Sequence, residues 1–130
     1  MSASQAVLLG GVFNTALFVF HVFFWRLFNW PEGLASVSFI NRAVMQILNV
    51  CLMFVFGIFA YISFFHADEM LGTTLGRVLL VLIAAFWFLR ALLQIVFFGL
   101  KRPVSIAFFM VFMTGAVLYA WPAYHASGLT

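Results

Sequence analysis

Apolar residues fall in four long runs, at 6–28, 43–65, 75–100 and 104–124, and the short stretches between them hold most of the charge. A helix rises ~1.5 Å per residue, so about 20 apolar residues cross a hydrocarbon core roughly 30 Å thick. Transmembrane β-strands would be about ten residues long with strict alternation. These runs are about twice that length and continuous. A helix also satisfies its backbone polar groups within its own segment, which lipid demands. The pattern therefore predicts an all-α, integral membrane four-helix bundle in a single transmembrane domain over 1–130.

The connections carry matching punctuation. Asn29-Trp30-Pro31-Glu32-Gly33 ends the first run, because proline cannot continue a helix. Ser38 and Asn41 are candidate N-caps for the second. His66-Ala67-Asp68-Glu69 and Gly72-Thr73-Thr74 bracket the start of the third, and Pro103 suits the first position of the fourth.

Composition agrees with lipid as the solvent. Of 130 residues, 67% are hydrophobic and only 7% charged, too few charges to cover a water-facing surface of this size. The first run is too long for the apolar core of a signal peptide and has no basic residue before it, so it reads as an uncleaved span. Six basic residues against three acidic ones give a net charge of +3, but they are scattered, and nothing points to nucleic acid. They read better as topology signals. Arg26, Arg42, Lys101 and Arg102 flank the first and third connections, whereas the second has only Arg77 beside Asp68 and Glu69. The positive-inside rule then places the first and third connections in the cytoplasm and both termini on the non-cytoplasmic side, with a bacterial inner membrane as the expected location. Trp25, Trp30 and Trp121 sit at expected interfaces, and the lone Cys51 lies inside an apolar run.

Polar side chains within hydrocarbon are costly and mark functional or packing sites. Asn14 and His21 stand seven apart on the first span, two turns on one face, with Arg26 at its cytoplasmic end. Arg42, Gln46 and Asn49 form a stripe on the second, and Arg90 and Gln94 stand four apart on the third. The fourth offers Ser105 and Thr114. Arg90 precedes Leu100 by ten residues, roughly 15 Å of helix, which puts it near mid-membrane. Convergence of these helices would form a pocket in the cytoplasmic half, with guanidinium groups suited to carboxylate or phosphate. The candidate ligand-binding residues are His21, Arg26, Arg42, Gln46, Asn49, Arg90 and Gln94. Plainer readings stand beside this one: Arg42 as an interfacial anchor, Arg90 snorkelling to the surface, Gln46 and Asn49 joining helices, and His21 as a satisfied structural histidine. His66 and His125, near Asp68 and Glu69, are the one pair placed to share a metal or haem, and interfacial residence explains them as well. The residues indicate no catalytic constellation and no metal site, and they leave the cofactor and any enzymatic turnover open.

Leu27-Phe28-Asn29-Trp30-Pro31-Glu32, Asn41-Arg42-Ala43 through Asn49, and Phe86-Trp87-Phe88-Leu89-Arg90 with Gln94 resemble a group of small bacterial four-span proteins of no known activity. A fainter similarity is to the membrane-associated eicosanoid and glutathione metabolism superfamily. Pro31-Glu32, Arg42, Asn49 and Arg90 fall where that superfamily has a Pro-Glu-Asp, an Arg, an Asn and an Arg. Met45, Leu52, Leu93 and Phe97 stand where it has Arg, Glu, His and Tyr. The likeness implies four helices with outward termini, trimeric assembly, and a transferase gripping a glutathione-type co-substrate through Arg42, Asn49 and Arg90. The residues themselves point first to binding of an amphipathic or anionic lipid-like ligand. A subunit of a larger membrane complex, its polar groups paired across subunit contacts, is a third reading.

Overall fold

The computed structural model describes residues 1–126, and over them the chain is helical with no strand. Four helices are long and apolar enough to cross a membrane: α1 (Ala3–Val22), α4 (Phe39–Phe65), α6 (Thr74–Phe98) and α7 (Pro103–Ala126). Three short helices join them: α2 (Phe24–Leu27), α3 (Trp30–Gly33) and α5 (Ala67–Gly72). The exterior is apolar, as lipid requires; Phe54, Phe65 and Phe97 are each at least 70% exposed.

Side-chain caps set the boundaries much as the sequence suggests. The Ser2 side chain accepts from the Gln5 amide and the Gln5 side chain answers the Ser2 amide, a capping box that starts α1. Ser38 and Thr73 cap α4 and α6 with their hydroxyls alone, accepting from the Asn41 and Gly76 amides. Gly99 ends α6 at φ 65°, a backbone setting that costs glycine little, and Pro103 opens α7 two residues past Lys101. The predicted first span differs. α1 stops at Val22, and the stretch predicted to continue to 28 turns at Phe23 into α2. No proline or glycine marks that break. The Asn49 side chain donates to the His21 carbonyl at 3.2 Å, answering a backbone acceptor at the interruption. Asn29, at φ 47°, then redirects the chain into α3.

The closest packing runs α6 on α7, α1 on α4, and α1 on α7. The bundle is thus two hairpins joined through α1 and α7, and α4 meets α6 mainly by aromatic side chains that bridge the gap. Phe56 and Phe59 reach Phe86 at 6.3 and 5.5 Å between ring centroids, and Phe56 stacks on Trp87 at 5.2 Å. Towards the end where α1 begins, α7 reaches Ala126 and α5 lies, a buried polar cluster ties three spans together. Asn14 Nδ2 donates to the Tyr119 hydroxyl at 2.8 Å, and that hydroxyl pairs with Ser63 Oγ at 2.8 Å. Gly10 lets the Tyr119 ring lie against α1, where a Cβ would come within 2.6 Å of it. Replacing Tyr119→Phe leaves two buried polar groups short of a partner. It is expected to lower stability in detergent by about 1–2 kcal/mol, read from the unfolding midpoint, and an unchanged midpoint would contradict this role for the cluster.

Candidate functional site

At the opposite end, between residues 23–38 and the turn at 99–102, the gap between the hairpins widens into a cavity of about 750 Å³. Its volume lies in the range of small-molecule sites. Phenylalanines make half of its wall, from α1, α2 and the residue after it (Phe20, Phe24, Phe28), α4 (Phe56), α6 (Phe86, Phe97, Phe98) and α7 (Phe108, Phe112). The polar groups cluster on the α6–α7 side.

Arg90 and Gln94 share a face of α6 because they stand one turn apart. The tight turn through Gly99 brings Ser105, in the first turn of α7, beside them. The Gln94 amide nitrogen donates to Ser105 Oγ at 2.9 Å, and the Ser105 hydroxyl donates to the Gly99 carbonyl. That fixes the amide so that its oxygen faces Arg90, whose Nη1 donates to it at 3.2 Å. The guanidinium lies over the Phe112 ring, 4.2 Å from its centroid. No carboxylate accompanies it. Among the described residues no lysine or arginine lies within ion-pair distance of a carboxylate; Glu69 stands 3.6 Å from His66 Nδ1, and Glu32 accepts from Asn29 at 2.7 Å. Arg90 is therefore a partly buried cation without a protein counter-charge among the described residues.

No family model, curated protein or solved structure matches the chain. The chemistry of the cavity has to be read from its own residues.

His21 faces the same cavity from α1 and is 9% exposed. Its Nδ1 lies 2.8 Å from the Leu17 carbonyl, and its ring stacks on Phe24 at 4.2 Å with an edge contact to Phe56 at 4.9 Å. Trp87, 1% exposed, forms part of the wall, and its indole N–H has no partner among the described residues. Arg102 lines the cavity near its end.

Of the seven residues singled out by sequence, His21, Arg90 and Gln94 come together here, and Arg26, Arg42, Gln46 and Asn49 lie outside the lining. Arg26 is exposed on α2, and Arg42 sits 6.0 Å from the Phe39 ring centroid. Gln46 accepts from the Trp25 indole at 3.1 Å and donates to the Arg42 carbonyl. Asn49 shares a face of α4 with Leu52 and Phe56, which do line the cavity, but its amide is committed to the His21 carbonyl. These two residues join α4 to the α1–α2 segment. His66 pairs with Glu69, and His125 Nδ1 lies 2.9 Å from the Trp121 carbonyl. Among the described residues no three His, Cys, Asp or Glu side chains gather as metal ligands.

In the sequence alone, Ser105, Trp87 and Arg102 read only as a lone polar residue, a motif residue and a topology signal. The eleven-residue step from Gln94 to Ser105 across a tight turn is the one signal that could have promoted Ser105. If Asn49 serves α1–α4 packing, Asn49→Ala should lower stability by about 1 kcal/mol in a thermal or denaturant unfolding series while the Arg90–Gln94–Ser105 chain stays intact. Undiminished stability would remove that role.

Proposed function

We propose that this multi-pass membrane protein binds an anionic amphiphile, with the acidic head on Arg90 and the hydrocarbon portion against the phenylalanine wall. The observation that carries the reading is the unpaired guanidinium. An arginine presents five N–H donors, and Gln94 takes one of them. Contact with an aromatic face contributes about 0.5–2 kcal/mol, and a hydrogen bond to a charged group about 1.5–3 kcal/mol. Withdrawing a charge from water costs several kcal/mol, so these two contacts leave room for an anion to stabilise the site further. Carboxylate and phosphate match the guanidinium fork. The distribution of lysine and arginine orients the cavity towards the cytoplasmic leaflet, and the inner membrane of a bacterium is the location that fits that rule.

A glutathione-type transferase would need Arg42, Asn49 and Arg90 on one ligand. Arg42 and Asn49 stand outside the cavity lining, so the amphiphile reading is the better supported.

Native mass spectrometry after mild extraction tests it. The wild-type protein should carry an anionic lipid or fatty acid. Arg90→Gln removes the charge. Gln94→Glu keeps it but sets a carboxylate one turn from the guanidinium, where it competes with the ligand. Each variant should weaken retention roughly ten- to hundredfold with helical circular dichroism unchanged. Equal adducts on all three proteins, or none on the wild type, would overturn the proposal.

A further inference from the structure

The polar side chains of the cavity are mainly hydrogen-bond donors, and His21 adds an acceptor that no protein group answers among the described residues. Arg90 and Arg102 are donors, and a guanidinium cannot accept. The Gln94 oxygen already receives Arg90, and Ser105 Oγ already receives Gln94. His21 is different. A carbonyl oxygen only accepts, so Nδ1, at 2.8 Å from the Leu17 carbonyl, carries the hydrogen. In the neutral ring Nε2 is then a bare lone pair. No protein group donates to it among the described residues, and stacking on Phe24 with an edge contact to Phe56 fixes the ring plane. The residue as a whole is 9% exposed, yet Nε2 is not sealed within the protein, so a donor in the cavity can reach it.

Resting on the amphiphile reading above, we infer that the ligand is a hydroxylated acid lipid: an acyl chain whose head pairs an anionic group for Arg90 with a hydroxyl that donates to His21 Nε2. An unsubstituted carboxylate offers only acceptors and leaves Nε2 unmatched. Sites built around a hydroxyl reject the analogue that lacks it far better than apolar pockets sort chain lengths. His21 would thus determine specificity, and Arg90 would set affinity for the class.

The probes are palmitate and β-hydroxypalmitate, titrated against the full chain in nanodiscs of zwitterionic lipid and followed by tryptophan fluorescence. The wild type should favour the hydroxy acid by about tenfold. His21→Phe, which keeps an aromatic ring for the Phe24 stack, should bring the two affinities level. A wild type that binds both equally well overturns this inference and leaves the amphiphile reading standing. A preference that survives in His21→Phe also overturns it, since another group then reads the hydroxyl. Binding of neither acid by the wild type counts against both. The wild-type comparison decides the matter even if the variant does not fold.

Discussion

A cation held away from water in a membrane bundle needs an answering group, and around Arg90 the chain supplies an incomplete one. The face of Phe112 and the Gln94 oxygen meet the guanidinium, and no carboxylate does. The turn chemistry at 99–105 serves this arrangement. Gly99 ends α6 with a positive φ, Pro103 starts α7 at once, and Ser105 is thereby close enough to orient the Gln94 amide. Reversal of that amide would present its donors to another donor, so the Ser105–Gly99 link decides whether Arg90 has a protein acceptor at all.

The same economy of contacts explains why there is room beside it. The two hairpins touch through α1 and α7, and aromatic rings bridge α4 and α6 only over part of their length. Towards the chain termini, Asn14, Ser63 and Tyr119 close the core with hydrogen bonds between spans. Towards the other end α1 breaks at Phe23, and α2 and α3 run between α1 and α4 where a longer α1 is predicted. Phenylalanine fills space with few rotatable bonds and presents nothing that bonds a polar head. A chamber with that wall and one cationic side is the basis of the proposal that the ligand is an anionic amphiphile.

The four spans and their rough limits were legible because lipid imposes length and apolarity together, and few other patterns satisfy both. The meeting of His21, Arg90 and Gln94 was legible because unexplained polarity in hydrocarbon is rare. Helical spacing gives the face of a residue but not the neighbour that face meets. Gln46 and Asn49 form a stripe like that of Arg90 and Gln94, yet the first pair is spent on Trp25 and the His21 carbonyl. The break after Val22 was hidden because it involves neither proline nor glycine, and its stabilising donor lies 28 residues away on α4. The cavity walls were hidden for a simpler reason. Phe56 and Phe112 inside are the same residue type as Phe54 and Phe65 facing lipid, so composition alone cannot sort them.

What stands opposite Arg90 is open to direct inspection. An experimental density map of the protein extracted with its own membrane lipids into nanodiscs, with a rigid bound fragment to aid alignment, would show it. The account predicts elongated non-protein density along the phenylalanine wall, ending within hydrogen-bonding distance of the guanidinium. A map in which Arg90 turns out towards the headgroups, or in which the chamber holds only water, would contradict it.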